Sequence, residues 1–163
     1  MELYLIRHAD AVTLGEGGII EDAARPLTPK GEAQARLLGD GLARWGIRLE
    51  VLLTSPLVRA RQTADGIAQH LTRPAPEVRL CEDLAPGGKR RRLARGLKDI
   101  GKKAIGVVGH QPDLGEFAAW LIGSRKAQID FAKAGVAKIS CDKEVDKGDG
   151  ILVWLVTPEW FGA

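Results

Sequence analysis

The sequence predicts an α/β domain whose mostly parallel sheet is covered on both faces by helices. Three observations lead there. Short apolar or alternating stretches rich in β-branched residues recur along the 163-residue chain, and such stretches read as strands. Longer stretches between them place apolar residues every three or four positions, the spacing of a helix with one buried side. The two kinds alternate, as in a parallel or mixed sheet, and the length suits one domain. Residues 1–163 are therefore expected to form a single three-layer α/β/α domain.

Glu2–Arg7 (ELYLIR) is the first strand, an apolar run closed by a cation. Thr28-Pro29 opens the first helix, because threonine caps free N–H groups and proline is tolerated at the first helical position. Its apolar face is Ala33, Leu37, Leu38 and Leu42, and Gly46 ends it. Glu50–Thr54 (EVLLT) is the second strand. Ser55-Pro56 repeats the start signal, and Ala60, Ala64, Ile67, Ala68 and Leu71 form the stripe of the second helix. Glu77–Cys81 (EVRLC) is a weaker strand, followed by a helix over Lys89–Ile100 with Leu93, Leu97 and Ile100 on one side. Ala104–Gly109 (AIGVVG) leads into a fourth helix from Pro112 to Ile122, carried by Leu114, Ala118 and Leu121. Val136–Cys141 (VAKISC) and Ile151–Val156 (ILVWLV) close the chain as a hairpin, its turn within Lys143–Gly150.

The 45% hydrophobic and 28% charged content excludes disordered and fibrous classes. No apolar run is long enough to span a bilayer, and Arg7 interrupts the first one before a signal sequence can form. A cytoplasmic protein is expected. Cys81 and Cys141 have neither metal-site nor disulfide-framework spacing, so both are expected as free thiols. A net charge of +3 hints at an anionic partner.

Chemistry collects at the strand ends, where open α/β sheets bind ligands. The first strand ends in Arg7-His8, the second in Thr54-Ser55-Pro56 before a helix whose first turn holds Arg59, and the strand at 104–109 in Gly109-His110. Helix N-termini favour anions, and arginine grips phosphate oxygens with a planar fork of donors. Arg59 lies off the apolar stripe of its helix and projects from one flank. Each group alone is ordinary; four converging on one end of one sheet predict a phosphate pocket.

Arg7-His8-Ala9, then SPLVRARQTA from Ser55 to Ala64, then Val108-Gly109-His110 resemble the three motifs of the histidine phosphatase superfamily, in its order. The resemblance implies a phosphoglycerate mutase-like fold. Arg25-Pro26-Leu27-Thr28-Pro29-Lys30-Gly31 (RPLTPKG) and the compact length are similar to the small SixA-type phosphohistidine phosphatases. The resemblance implies His8 as nucleophile, with Arg7, Arg59 and His110 binding the phosphoryl oxygens, and needs no metal or cofactor. A neutral imidazole suits that role at neutral pH if its other nitrogen donates a hydrogen bond. It implies as substrate a phosphorylated protein, of which a histidine-containing phosphotransfer domain is one form. Ala9 stands where the superfamily usually has glycine.

A leaving-group acid is less clear. Glu82 and Asp83 are the candidates. A serine alkoxide needs such an acid, whereas an imidazole leaves easily because its conjugate acid titrates near neutrality. A sparsely furnished acid position therefore suits a phosphoramidate, and a small phosphate ester remains the alternative. Asp10 reads equally as a group that repels phosphate, one that orients an arginine, or a solvated loop residue. The glycine-rich loop Thr13–Ala24 is expected as a mobile rim of the pocket.

Lys89-Arg90-Arg91-Arg92, with Arg95, Lys98, Lys102 and Lys103, resembles a nucleic-acid patch, but a solvated face opposite Leu93 and Leu97 fits its helix better. Docking of an acidic phosphoprotein lies between these readings. A non-catalytic phosphate- or nucleic-acid-binding module is the reading from a different class. His70, at a helix C-terminus, is expected to be structural, and the four scattered tryptophans to serve packing rather than base stacking.

Overall fold

In a computed structural model, which describes residues 1–71, 73–142 and 144–162, six strands form one mixed sheet in the order β3-β2-β4-β1-β5-β6. The strands are β1 (Glu2–Arg7), β2 (Val51–Thr54), β3 (Glu77–Leu80), β4 (Ala104–Gly109), β5 (Val136–Cys141) and β6 (Gly150–Val156). The helices are α1 (Pro29–Arg44), α2 (Val58–His70), α3 (Arg90–Ile100) and α4 (Asp113–Leu121). β3, β2, β4 and β1 run parallel, and β5 returns antiparallel between β1 and β6. The hairpin is as expected; its turn includes Lys143, which lies outside the described residues.

Alternation along β1 divides the core. Leu3 and Leu5 pack with Leu93, Leu97, Phe117 and Leu121 of α3 and α4. Tyr4 and Ile6 pack with Leu38, Leu42, Ala60 and Ile67 of α1 and α2. Fully burying a leucine or isoleucine contributes about 1.5–3 kcal/mol, so both faces of the central strand are strongly anchored.

Two local differences from the sequence reading have physical causes. The buried face of α1 is Gly31, Ala35, Leu38, Gly39 and Leu42, while Ala33 is exposed. Glycines turn the helix: a Cβ on Gly39 would come 2.7 Å from the Ile67 carbonyl oxygen, so its absence lets α1 lie close against α2. In α2, helical geometry begins at Val58, with Leu57 at the N-cap and no side-chain cap; the Ser55 hydroxyl instead accepts from Leu57 N and meets His110.

Candidate active site

Strand register puts the site together. Arg7 pairs with Gly109 and Thr54 with Val108, so His8, His110 and Ser55 emerge side by side from three adjacent parallel strands. The backbone N–H groups of His8 and Ser55 continue the ladders to Gly109 O and Val108 O, both at 3.0 Å. The imidazoles of His8 and His110 lie 5.0 Å apart between ring centres, and both are buried.

The tautomer of His8 follows from its neighbours. Nδ1 lies 2.7 Å from its own loop's Ala9 carbonyl, which only accepts, so Nδ1 donates and Nε2 carries the lone pair. Arg59 Nε donates to that nitrogen at 3.2 Å. Burial, then the charges of Lys133, His110 and Arg59, lowers the His8 pKa from 6.5 to about 3 despite the opposing Ala9 bond. The imidazole is therefore neutral at physiological pH. His110 is held by the Ser55 hydroxyl at 2.8 Å, and burial, then the Arg59 charge, lowers its pKa to about 4.

Arg59 is the largest departure from expectation. It is 5% exposed rather than flanking, because the loop after Thr13 folds over it. That loop contains two 3-10 turns, Glu16–Gly18 and Asp22–Ala24. Arg59 donates from Nη1 to Asp22 O at 2.7 Å and from Nη2 to Asp22 Oδ2 at 3.0 Å. Arg25 also binds the Asp22 carboxylate, at 2.8 Å, and Arg25 then Arg59 hold its pKa below the usual carboxylate range. Arg7 donates through Nη1 to the Phe131 carbonyl at 2.6 Å. Lys133, half-buried nearby, has its pKa lowered by burial and then by Arg7, Arg25 and Arg59. Two buried side-chain polar atoms without a hydrogen-bond partner are found among the described residues: Arg7 Nε and His110 Nδ1. Both belong to this cationic cluster, where an anion with several acceptor oxygens would match them.

Motif residues beyond the charged ones brace the site. Thr63 Oγ1 accepts from Ala9 N at 3.0 Å and donates to Arg59 O at 2.7 Å, linking the loop after His8 to the turn that carries Arg59. Gln62 Oε1 accepts from Leu27 N at 2.7 Å. Asp10 neither faces solvent freely nor orients an arginine: its carboxylate accepts from the Thr28 hydroxyl at 2.7 Å, and Thr28 caps α1. Ala9 is fully buried with its Cβ accommodated. Thr63→Val is expected to lower kcat about tenfold or more while costing about 1–3 kcal/mol of stability; kinetics and thermal melts check this, with Thr63→Ser restoring activity.

Of the two carboxylates after β3, Glu82 is exposed. Asp83 accepts from Arg92 Nε at 2.7 Å and borders a small cavity that reaches His110. His70 ends α2 with Nδ1 3.0 Å from Asp40. Cys81 and Cys141 are free thiols with pKa values raised by burial.

A family model for the histidine phosphatase superfamily (branch 1) matches residues 3–85. The chain belongs to the histidine phosphatase superfamily. Phosphohistidine phosphatase SixA of Escherichia coli K12 is 27% identical over 163 positions, covering 97% of this chain and 94% of that protein. An uncharacterised protein of Picosynechococcus is 36% identical, covering 98% of both. A solved structure of the protein histidine phosphatase SixA complexed with tungstate superposes with a TM-score of 0.84, at 26% identity over 97% of both chains. These likenesses make the chain a histidine phosphatase in fold and family. Among its described residues, no helix is long and apolar enough to cross a membrane.

The two depressed histidines couple this site to folding. Unfolded, each imidazole takes up a proton near pH 6.5; folded, neither does until about pH 4 and about pH 3. The unfolded state thus binds more protons in that window, and stability falls as pH drops from about 6.5 toward 4. The expected slope reaches about 1.4 kcal/mol per pH unit for each histidine. Denaturant melts between pH 5 and 7 measure it, and His110→Gln should roughly halve it, leaving the His8 contribution.

Proposed function

We propose that the chain is a metal-independent phosphatase that hydrolyses phosphohistidine on a protein, passing the phosphoryl group through His8. The observation that carries this reading is the His8 tautomer: the Ala9 carbonyl accepts a hydrogen bond from Nδ1–H at 2.7 Å, leaving the Nε2 lone pair facing the Arg59 guanidinium. Arg7, Arg59 and His110 are the phosphate-binding groups in this reading, and the partnerless Arg7 Nε and His110 Nδ1 supply donors for phosphoryl oxygens. A tetrahedral oxyanion of phosphate's shape, tungstate, binds the SixA relative, which agrees with such a pocket.

The reaction then has two displacements. The Nε2 pair of His8 forms a bond to phosphorus as the P–N bond of the substrate breaks. The electrons of that broken bond stay on the substrate imidazole, which leaves neutral because its second nitrogen has taken a proton from solvent. Water next attacks phospho-His8, the P–N bond returns its electrons to Nε2, and the water proton goes to solvent. Charge spreading over the three equatorial oxygens is met by the two guanidiniums and His110. The Asp22 carboxylate gives up Arg59 to them.

A leaving imidazole needs no strong acid, which fits an exposed Glu82 and an Asp83 already engaged by Arg92. One observation favours the alternative, a small phosphate ester: Asp83 lines the cavity beside His110. Phosphate release in EDTA from a phosphohistidine peptide and from p-nitrophenyl phosphate, a small ester, decides between them. The proposal expects the phosphohistidine peptide to turn over at least about a hundredfold faster; equal rates would replace it with the ester reading.

A further inference from the structure

The helix that carries the basic run faces two adjoining hollows. One, of about 820 Å³, lies between α3 and α4 and is walled by Arg90, Arg91, Glu116, Arg125 and Lys147. The next, of about 360 Å³, continues along α3 past Arg95 and Lys98. Together they present seven cations to three carboxylates, an excess of four positive charges on a chain whose net charge is +3. The rest of the molecule is therefore slightly acidic, and the charge is polarised onto one face.

Pairing inside the face is incomplete. Arg90 reaches Glu116 at 3.6 Å, and Lys98 reaches Glu144 at 2.6 Å. Among the described residues Lys89, Arg91, Arg95, Arg125 and Lys147 have no ion-pair partner. Arg92, the last of the basic run, turns away to Asp83. Like charges gathered without partners repel one another, so the face is suited to an external anion rather than to the fold.

The groove also leads to the chemistry. Gly88, Arg90 and Asp113 line both the larger hollow and the small cavity that ends at His110. We propose that the α3–α4 groove docks the acidic surface of the phosphoprotein substrate and so delivers its phosphohistidine to His8. This rests on the phosphohistidine reading above. A protein surface fits better than a nucleic acid. Asp113, Glu116 and Asp146 are interspersed with the cations, which suits a mixed protein surface and repels a continuous phosphate backbone. The groove's one aromatic floor residue, Trp120, is buried and stacked on Phe117, so no base can stack on it.

Two synthetic peptides test this, each with one histidine phosphorylated by phosphoramidate, one flanked by glutamates and the other by glutamines. The wild-type protein is expected to favour the acidic peptide at least about tenfold in kcat/KM at low salt, with the preference fading at 0.5 M salt, where the screening length is only about 4 Å. Arg91→Glu/Arg125→Glu should erase the preference and leave the neutral peptide's turnover unchanged, which also shows that the variant folds. Equal turnover of the two peptides by wild type overturns the docking and leaves the phosphatase reading standing. A preference that survives the double substitution overturns the placement in this groove. If oligouridylate at equal concentration displaces the acidic peptide completely, the groove is a nucleic-acid site and the proposal falls. If neither peptide turns over, the phosphohistidine reading fails and the docking with it.

Discussion

His8→Ala is expected to reduce phosphate release by at least about a thousandfold, since removing a nucleophile abolishes the covalent route rather than slowing it. His8 is 5% exposed, and Arg59 Nε leans on its Nε2, so truncation also leaves a guanidinium short of one acceptor. His8→Asn, which keeps a polar side chain of similar reach, separates lost chemistry from lost packing: both variants should be inactive, and the second should melt near wild type. Acid-quenched wild-type protein incubated with substrate should gain the mass of one phosphoryl group, absent from either variant. Wild-type activity in His8→Ala would remove His8 as the nucleophile.

Arg59→Lys is expected to cost about a hundredfold or more in kcat/KM, close to the effect of Arg59→Ala. Loss of a single donor aimed at developing charge costs about that much, and lysine keeps the charge while losing the fork. Here three edges of the guanidinium are used at once, by His8 Nε2 and by the carbonyl and carboxylate of Asp22; an ammonium serves them only as a point charge. Steady-state kinetics, with inhibition by tungstate as a second readout, checks this. Full activity in the lysine variant would mean that net charge alone binds the phosphoryl group.

Most of the fold was legible because its signals are local. Thr28-Pro29 announced α1, and the side-chain cap from Thr28 to Gly31 N is present at 3.0 Å. Three of the site's groups were legible for a related reason: Arg7, His8 and His110 adjoin strand ends, and parallel register carries such residues to one edge; Ser55 reads in the sequence only as a strand end and helix start. Asp22 and Lys133 were not singled out, and Arg25 was read only as the head of a motif, because they arrive from loops without periodicity. Their meeting with Arg59 and Arg7 depends on long-range chain placement that no local pattern encodes. The burial of Arg59 was missed for the same reason, since its helix is amphipathic in the ordinary way and only the loop covers it. Gln62 and Thr63 could have been weighted more heavily: they stand in the second motif beside Arg59, and their side chains brace the loops after β1 and before α1.

Asp22 has a consequence for what the protein retains after turnover. Its carboxylate sits 3.0 Å from an arginine nitrogen that, on the proposed reading, an incoming phosphoryl group would take, tethered by its loop. A tethered group of this kind competes at an effective concentration on the order of millimolar. Free inorganic phosphate, with nothing to hold it but the oxygens that Asp22 imitates, must overcome that competitor unaided. The proposed phosphoprotein substrate would bring contacts outside the pocket and displace the carboxylate with binding energy that the released anion no longer has. On the proposed reading the loop would work against product inhibition, returning its carboxylate to Arg59 as each phosphate departs.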